Sequence, residues 1–262
     1  MEHVILVDGS IDAYRTRLGS WTGLEGWTKA LAQVEPSNKF SDGQAKHFPG
    51  LSIVSPPGPE SRQWQNFYRP LLRLRDQLLQ ELSGLHHPVP DQSLHLTGAD
   101  LIAGPNYDNI GPQRAEFDAT LSERIEFLWA SQVPVSAPLR WRVHGIAFFQ
   151  HALVCLLDPV DERDYEPLIR FRNAIYADSK LAELGVQKTK PFMAHITLAY
   201  YQEIPNEEAR QAWVGYAQNY QDAIRTLPTS FIIDHLDVRR FEDMTAYHAL
   251  APQRRFTFGA KA

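Results

Sequence analysis

The sequence predicts an α+β fold of two pseudo-symmetric lobes, each an antiparallel sheet with flanking helices, with a cleft between the lobes. Two observations support this prediction. The segment SLHLTG contains His95 and Thr97, and a hundred residues later MAHITLAY contains His195 and Thr197 in the same relative positions. The order helix, motif strand, helix, strand pair also occurs twice, with a period near 100 residues. Each lobe would therefore contribute one motif.

The first elements follow from apolar spacing and proline positions. Residues 1–38 are interpreted as an N-terminal extension that packs by its aromatic side chains, and residues 39–262 as the bilobal domain. The run LSIVSPPGPES predicts a strand that ends at a proline-rich turn, because proline fixes φ and removes a donor. Apolar residues at helical spacing predict a helix over about 64–83, which Pro70 would begin or kink.

The later elements repeat this order. A helix near 117–128 is followed by the strand pair WRVHGIAFF and HALVCLLDP, and a helix over about 162–183 leads to the second motif strand. IPNEEARQAW then predicts another helix, with Asn206 as its N-cap ahead of two glutamates. The strands FIIDHLDVRRF and TAYHAL complete the second repeat.

Composition limits the class of function. The chain has 262 residues and is 44% hydrophobic. Its net charge of −5 argues against extended binding along a nucleic-acid backbone. A small nucleotide or the end of an RNA is compatible with that charge. Cys155, the single cysteine, lies in an apolar run, so we expect a buried reduced thiol and a cytoplasmic protein. We expect no membrane segment, because no window approaches the roughly 20 apolar residues of a span, and we expect a monomer.

Strand alternation gives the motifs their chemistry. His95 and Thr97 point to one face of a strand while Leu94 and Leu96 point to the other, and the second motif repeats this pattern. Across a cleft, one neutral imidazole would accept a proton and a protonated one would donate a proton. The threonine hydroxyls would bind phosphate oxygens. This chemistry requires no metal ion and no cofactor.

Two other readings of the motifs are a nucleotide- or phosphate-binding module without turnover and a structural or partner-binding fold. A lone His-x-Thr is expected by chance about a third to a half of the time in a chain with this many histidines and threonines. Two copies at matching places in a repeated order favour a functional pair. A histidine-triad hydrolase is disfavoured, because Thr197 and Ala199 occupy places that its alternating histidines would need.

The motif residues resemble a known family. PFMAHITLAYY is similar to the second motif, and SLHLTGAD to the first, of the 2H phosphoesterase superfamily; NKFSDGQAKHFPGLSIVSPPGPES and RPLLRLRDQL are similar to a bacterial branch of it. The resemblance covers roughly residues 38–255. It implies His95 and His195 as the acid–base pair and Thr97 and Thr197 as phosphate ligands. Gly98 departs from the pattern, since a bulky apolar residue is common there.

The resemblance and the motif chemistry together predict a phosphodiesterase or cyclic phosphodiesterase acting on a 2′,3′-cyclic phosphate, a 2′-5′ linkage or a related small nucleotide. Three further residues are candidate substrate contacts, and the alternatives are core packing for Tyr201, ordinary loop structure for Tyr107 and a solvated loop position for Lys190. Alternation assigns Tyr200 to the buried face and leaves Tyr201 to stack on a base. Tyr107 lies in a turn-rich loop that would cover the cleft, and Lys190, before the second motif strand, would attract a phosphate.

Overall fold

The computed structural model describes residues 8–82, 86–188, 190–227 and 230–259. It confirms the α+β class and the two antiparallel lobes, since these residues contain two five-stranded antiparallel sheets and a small hairpin. The helices are α1 (Ile11–Gly19), α2 (Gly23–Leu31), α3 (Arg69–Glu81), α4 (Pro105–Asp108), α5 (Arg114–Ala130), α6 (Glu162–Ala177), α7 (Ser179–Glu183) and α8 (Glu207–Arg225). The strands are β1 (Phe40–Ser41), β2 (Gln44–Ala45), β3 (Gly50–Val54), β4 (His86–Pro88), β5 (Thr97–Ala103), β6 (Leu139–Phe148), β7 (Ala152–Pro159), β8 (His195–Tyr201), β9 (Phe231–Ile233), β10 (His235–Phe241), β11 (His248–Ala249) and β12 (Arg255–Thr257).

Each sheet contains one motif strand. The first sheet has the order β11-β10-β3-β5, with β12 also paired to β10, and the second has the order β4-β8-β7-β6-β9. If each repeat of the sequence formed its own lobe, β6 and β7 would pair with the first motif strand. Instead β7 pairs with β8, and β10 crosses back to pair with β3. Strand pairing thus exchanges the last strands of the two repeats between the lobes.

The helix ends follow from local hydrogen bonding. Pro70 lies in the first turn of α3, as predicted, directly after a π-helical turn over Trp64–Tyr68. The predicted N-cap is confirmed, because the Asn206 side chain accepts a hydrogen bond from the Ala209 N–H. No helix in the described part of the chain is long and apolar enough to cross a bilayer.

The N-terminal segment is part of the second lobe's packing. The Trp27 indole N–H donates to the Ile146 carbonyl at 2.9 Å, and the Tyr14 hydroxyl donates to the Leu157 carbonyl. Both side chains are buried. The segment therefore packs by its aromatic residues against the β6–β7 pair, where Cys155 is a buried free thiol as predicted.

Candidate active site

The two motifs meet at an antiparallel bridge between Leu96 and Ile196, both fully buried. In that register His95 lies opposite Thr197, and Thr97 lies opposite His195. Side chains on either side of a bridged pair point to the other face of the strands, and directly opposite residues have Cβ atoms about 5 Å apart. The bridge thus brings the four predicted site side chains together on one face, and all four are half-buried.

A β-bulge follows each motif at the same place. Ile53 and Val54 are adjacent in β3 but face Ala99 and Thr97, so Gly98 is an extra residue in β5. Leu153 and Val154 of β7 likewise face Ala199 and Thr197, so Leu198 is extra in β8.

The bulges shift the alternation of both strands by one residue. Three residues after each threonine, Asp100 and Tyr200 are at least partly exposed, whereas the residues before them are buried. The cleft face therefore carries the series His95, Thr97, Asp100 from one strand and His195, Thr197, Tyr200 from the other.

Both imidazoles are held in the same tautomer. Nδ1 of His95 lies 2.6 Å from the Ser93 carbonyl oxygen, and Nδ1 of His195 lies 2.7 Å from the Met193 carbonyl oxygen. A carbonyl only accepts, so each Nδ1 carries the hydrogen, and each neutral ring has its lone pair on Nε2. Nε2 of His95 lies 3.2 Å from the Thr97 hydroxyl, which can donate to it.

Aromatic rings fix the orientation of both imidazoles. The Tyr247 ring centroid is 4.1 Å from that of His95, and the Phe149 centroid is 4.9 Å from that of His195. Sequence reasoning missed both rings, because one comes from the segment after β10 and the other from the turn after β6. Rings locked by packing hold a catalytic nitrogen at a defined position.

The charge surroundings of the two histidines differ. Burial lowers the pKa of His95 to about 4, whereas the hydrogen bond to the Ser93 carbonyl raises it. The neighbouring His195 and the positive charges of Lys39 and Arg239 lower it further. Burial also lowers the pKa of His195 and Lys39 contributes, but the Met193 hydrogen bond and the Asp100 carboxylate oppose this shift. His195 thus faces a carboxylate that favours its protonated form.

Two predicted substrate contacts are wrong. Tyr201 is fully buried and packs on His86 and Trp213, because the bulge at Leu198 turns it away from the cleft and turns Tyr200 towards it. Tyr107 is also fully buried, and its hydroxyl donates to the Asp118 carboxylate at 2.9 Å. It packs α4 onto α5 and does not cover the cleft.

The third predicted contact, Lys190, is exposed in the segment before β8, and its role in binding stays a prediction. The nearby Lys188 has its ammonium group 2.8 Å from the buried Asp8 carboxylate. The same carboxylate lies 3.2 Å from the Arg172 guanidinium and accepts the Phe192 N–H at 2.6 Å. This cluster ties the chain ahead of α1 to the start of the second motif.

The glycine after the first motif has a packing reason. A Cβ atom on Gly98 would lie 2.6 Å from a Leu236 methyl group and 3.3 Å from the Ile53 carbonyl oxygen. The Gly98 carbonyl accepts a hydrogen bond from the Arg172 guanidinium on α6. The departure at this position therefore follows from the close approach of β10 to the bulge.

A cavity of about 580 Å³ lies beside the first sheet, and neither motif histidine lines it. Its walls include Glu60 and Arg239, which form an ion pair at 2.7 Å. The cleft between the motif strands, and not this cavity, is the candidate active site.

Comparison with known proteins agrees with this geometry. The family model of the 2'-5' RNA ligase superfamily matches residues 61–244, which include both motifs. The chain belongs to the 2'-5' RNA ligase superfamily. This membership confirms the resemblance to the 2H phosphoesterases and suggests an activity of the phosphoesterase or ligase type. No curated protein sequence matches the chain significantly.

One solved structure shows the same fold over most of the chain, and two more are similar to it. A conserved protein of unknown function from Agrobacterium tumefaciens has a TM-score of 0.60 at 18% identity, over 82% of this chain and 92% of its own. Escherichia coli LigT in its apo form has a TM-score of 0.43 at 16% identity, over 82% of this chain and 100% of its own. A third, a phosphoesterase, has a TM-score of 0.38 at 17% identity, over 80% of this chain and 98% of its own.

Proposed function

We propose that this superfamily member is a phosphodiesterase or cyclic phosphodiesterase that acts on a 2′,3′-cyclic phosphate, a 2′-5′ linkage or a related small nucleotide. The observation that carries the proposal is the cross-strand arrangement of His95, Thr97, His195 and Thr197 around the Leu96–Ile196 bridge. Two Nε2 atoms, one neutral and one protonated, and two hydroxyl groups on one face would supply a base, an acid and two donors, which suits in-line displacement at phosphorus.

The reaction needs one proton removed and one supplied. For a 2′,3′-cyclic phosphate, the oxygen of a water molecule attacks phosphorus while the base takes one of its protons. The bond from phosphorus to one ribose oxygen breaks, and the acid protonates that oxygen. The products are a phosphomonoester and a ribose hydroxyl, and the two imidazoles exchange protonation states. The step assigns no role to a metal ion or a cofactor.

The charges around the two rings favour one assignment of roles. Burial lowers the pKa of His95 to about 4, and the charges of Lys39 and Arg239 add to this shift, so His95 stays neutral and acts as the base. His195 faces the Asp100 carboxylate, which favours a proton on its ring, so it acts as the acid. In both cases the Nδ1 hydrogen bond leaves Nε2 as the atom that exchanges the proton.

The hydroxyls of Thr97 and Thr197 donate to the non-bridging phosphate oxygens. In the bridge register Thr97 lies opposite His195 and Thr197 lies opposite His95. Each hydroxyl donor is therefore next to an imidazole that takes part in proton transfer. Such donors stabilise charge that is greatest in the transition state.

Turnover of a small panel in EDTA tests the proposal: 2′,3′-cyclic mononucleotides, 3′,5′-cyclic mononucleotides and a 2′-5′ dinucleotide. His95→Ala and His195→Ala are measured beside the exposed control His248→Ala. We expect product from the wild type and the control, and loss of product in both motif variants. Activity that survives both motif substitutions would contradict the proposal. Nucleotide binding that depends on both histidines but gives no product would favour the binding-module alternative.

A further inference from the structure

A segment outside the family-model match crosses between the two sheets at one end of the cleft. We call residues 35–49 the strap. At its start, the Glu35 N–H donates to the Gln150 carbonyl at 2.7 Å, and the Ser37 N–H donates to the Tyr201 carbonyl at 2.9 Å. Both acceptors belong to the second lobe, so the strap begins on the second sheet.

The strap ends on the first sheet. The Phe48 N–H donates to the Glu242 carbonyl at 2.9 Å, and the Gly104 N–H donates to the Pro49 carbonyl at 2.7 Å. Glu242 and Gly104 directly follow β10 and β5, which are strands of the first sheet. Backbone bonds therefore hold both ends of the strap, one on each lobe.

A tight hairpin inside the strap sets its conformation. Asp42 and Gly43 have φ values of 50° and 80°, and β1 pairs with β2 around them. Aspartate followed by glycine suits this turn, because both central residues need a positive φ. Glycine adopts it freely without a Cβ, and aspartate tolerates it. Phe40 stacks on the His87 ring, with centroids 4.7 Å apart, and packs on Tyr200 at 5.2 Å. These contacts fasten the hairpin to the cleft face of β4 and β8.

The residue placed by this hairpin is Lys39, which is half-buried. Its ammonium group lies 4.9 Å from the centre of the Phe48 ring and 5.4 Å from that of Tyr200. Tyr200 shares the cleft face with His195 and Thr197. The Lys39 charge also acts on the rings of both His95 and His195. The contacts described for this ammonium group are thus aromatic faces, and both acid–base groups lie within reach of its field.

We propose that Lys39 binds the phosphoryl group of the substrate, as a cationic ligand supplied by the strap. The inference rests on the proposed function, because it assigns the anion to the cleft that the two histidines share. The Lys39 ammonium group lies near two aromatic rings and within electrostatic range of both imidazoles, and it has no anionic partner in the contacts described for it. A phosphate bound by the two threonine hydroxyls would supply one.

The proposal also accounts for the presence of the Lys39 charge near a histidine that must be protonated for catalysis. In the free protein, Lys39 disfavours a second positive charge on either histidine. A bound phosphate would neutralise Lys39 and favour protonation of the acid at the moment when catalysis needs it. Lys39 would therefore couple substrate binding to the protonation of His195.

The test compares Lys39→Met with Lys39→Arg and with Lys46→Met. Lys46 is a matched control. It is exposed, it directly follows β2 of the same hairpin, and its N–H donates to the Lys39 carbonyl. The measurements are the affinities for inorganic phosphate and for a 3′-mononucleotide, followed by titration of the imidazole signals by NMR. A thermal melt of each variant verifies that the fold is retained.

We expect Lys39→Met to weaken phosphate and nucleotide binding about tenfold or more, the order of one charge-assisted hydrogen bond. Lys39→Arg should keep most of the affinity, and Lys46→Met should match the wild type. The pKa of both motif histidines should rise in Lys39→Met alone, since removal of a positive charge favours protonation. A lysine that only packs the strap would change the melt and leave binding unchanged in a folded variant.

The outcomes separate this inference from the proposed function. Phosphate affinity that depends on Lys39, without turnover of any nucleotide, would support the inference and contradict the enzyme proposal. Turnover that Lys39→Met leaves unchanged would overturn the inference and keep the enzyme. Three binding results would also overturn the inference. They are equal binding by the wild type and Lys39→Met, equal losses of binding in Lys39→Met and Lys46→Met, and no phosphate binding by the wild type.

Discussion

The two motif segments, residues 93–100 and 193–200, have the same local structure in different electrostatic surroundings. In both, Nδ1 of the histidine bonds the carbonyl two residues earlier, and a bulge follows the threonine. The segments differ at their last position, where one strand has Asp100 and the other Tyr200. They also differ in their neighbours, since Arg239 acts on His95, and Asp100 acts across the cleft on His195.

This comparison shows which features the two lobes share by backbone geometry and which distinguish them. The bridge and the bulges place two equivalent pairs of imidazole and hydroxyl side chains on one face. Burial lowers the pKa of both histidines, that of His95 to about 4, while Arg239 acts on His95 alone and the Asp100 carboxylate favours protonation of His195. We infer that equivalent motifs take unequal roles, with His95 as base and His195 as acid.

Removing either histidine should give the largest effect. We expect His95→Ala and His195→Ala each to lower kcat by about 10²–10⁴-fold on a natural phosphodiester. A substrate with a p-nitrophenolate leaving group distinguishes the roles, because that group departs without a proton. With it, the loss in His195→Ala should shrink, while the loss in His95→Ala should persist. Equal rescue of both variants, or rescue of His95→Ala alone, would contradict the assignment.

The two threonines should give the next largest effect. Thr97→Val and Thr197→Val should each lower kcat by about 10²–10³-fold, as for loss of one transition-state donor, while the Ser variants retain activity. Thr97→Val also removes the hydroxyl 3.2 Å from Nε2 of His95, so it should raise the pKa of the acidic limb. Thr197→Val should leave that limb in place. Steady-state kinetics across pH measure both effects.

The pH profile sharpens the comparison of the rings. The base must be neutral, so kcat/KM should fall below about pH 4, near the pKa of His95. The acid must be protonated, so kcat/KM should fall as the pH rises through the pKa of His195, which is below its ordinary value. The optimum should therefore lie on the acid side of neutrality.

Asp100→Asn should lower the pKa of His195 further and reduce kcat/KM by about two- to threefold above the optimum. The exposed Glu183→Gln is the control, and it should leave the profile unchanged. A basic limb that stays in place in Asp100→Asn would show that this carboxylate does not distinguish the two histidines.

The two tyrosines after the second bulge should give the smallest effects. Tyr200→Leu should raise KM about tenfold if its cleft-facing ring stacks on the substrate base. Tyr201→Phe should leave kcat/KM unchanged, because the residue packs against α8, and should not lower Tm, because its buried hydroxyl has no partner among the described residues. Enzyme kinetics and a thermal melt of both variants test the bulge directly.

Much of the site follows from sequence, because it depends on short-range pattern. His95 and Thr97 share a face by strand alternation, and the second motif repeats that pattern. The pairing of imidazole and hydroxyl can therefore be predicted from the sequence alone. Alternation fails one residue after each threonine. Nothing in TLAYY marks Leu198 as an extra residue, since a bulge is decided by the neighbouring strand's hydrogen bonds.

By itself the sequence determined the α+β class, the two motif strands and the family to which the chain belongs. The tertiary structure alone decided three things: which lobe receives each strand, which tyrosine faces the cleft, and how the strap brings Lys39 to both histidines. The physical reason is range. Alternation and capping act between residues that are neighbours along the chain, whereas strand exchange, bulges and the charge around an imidazole depend on residues far apart in sequence.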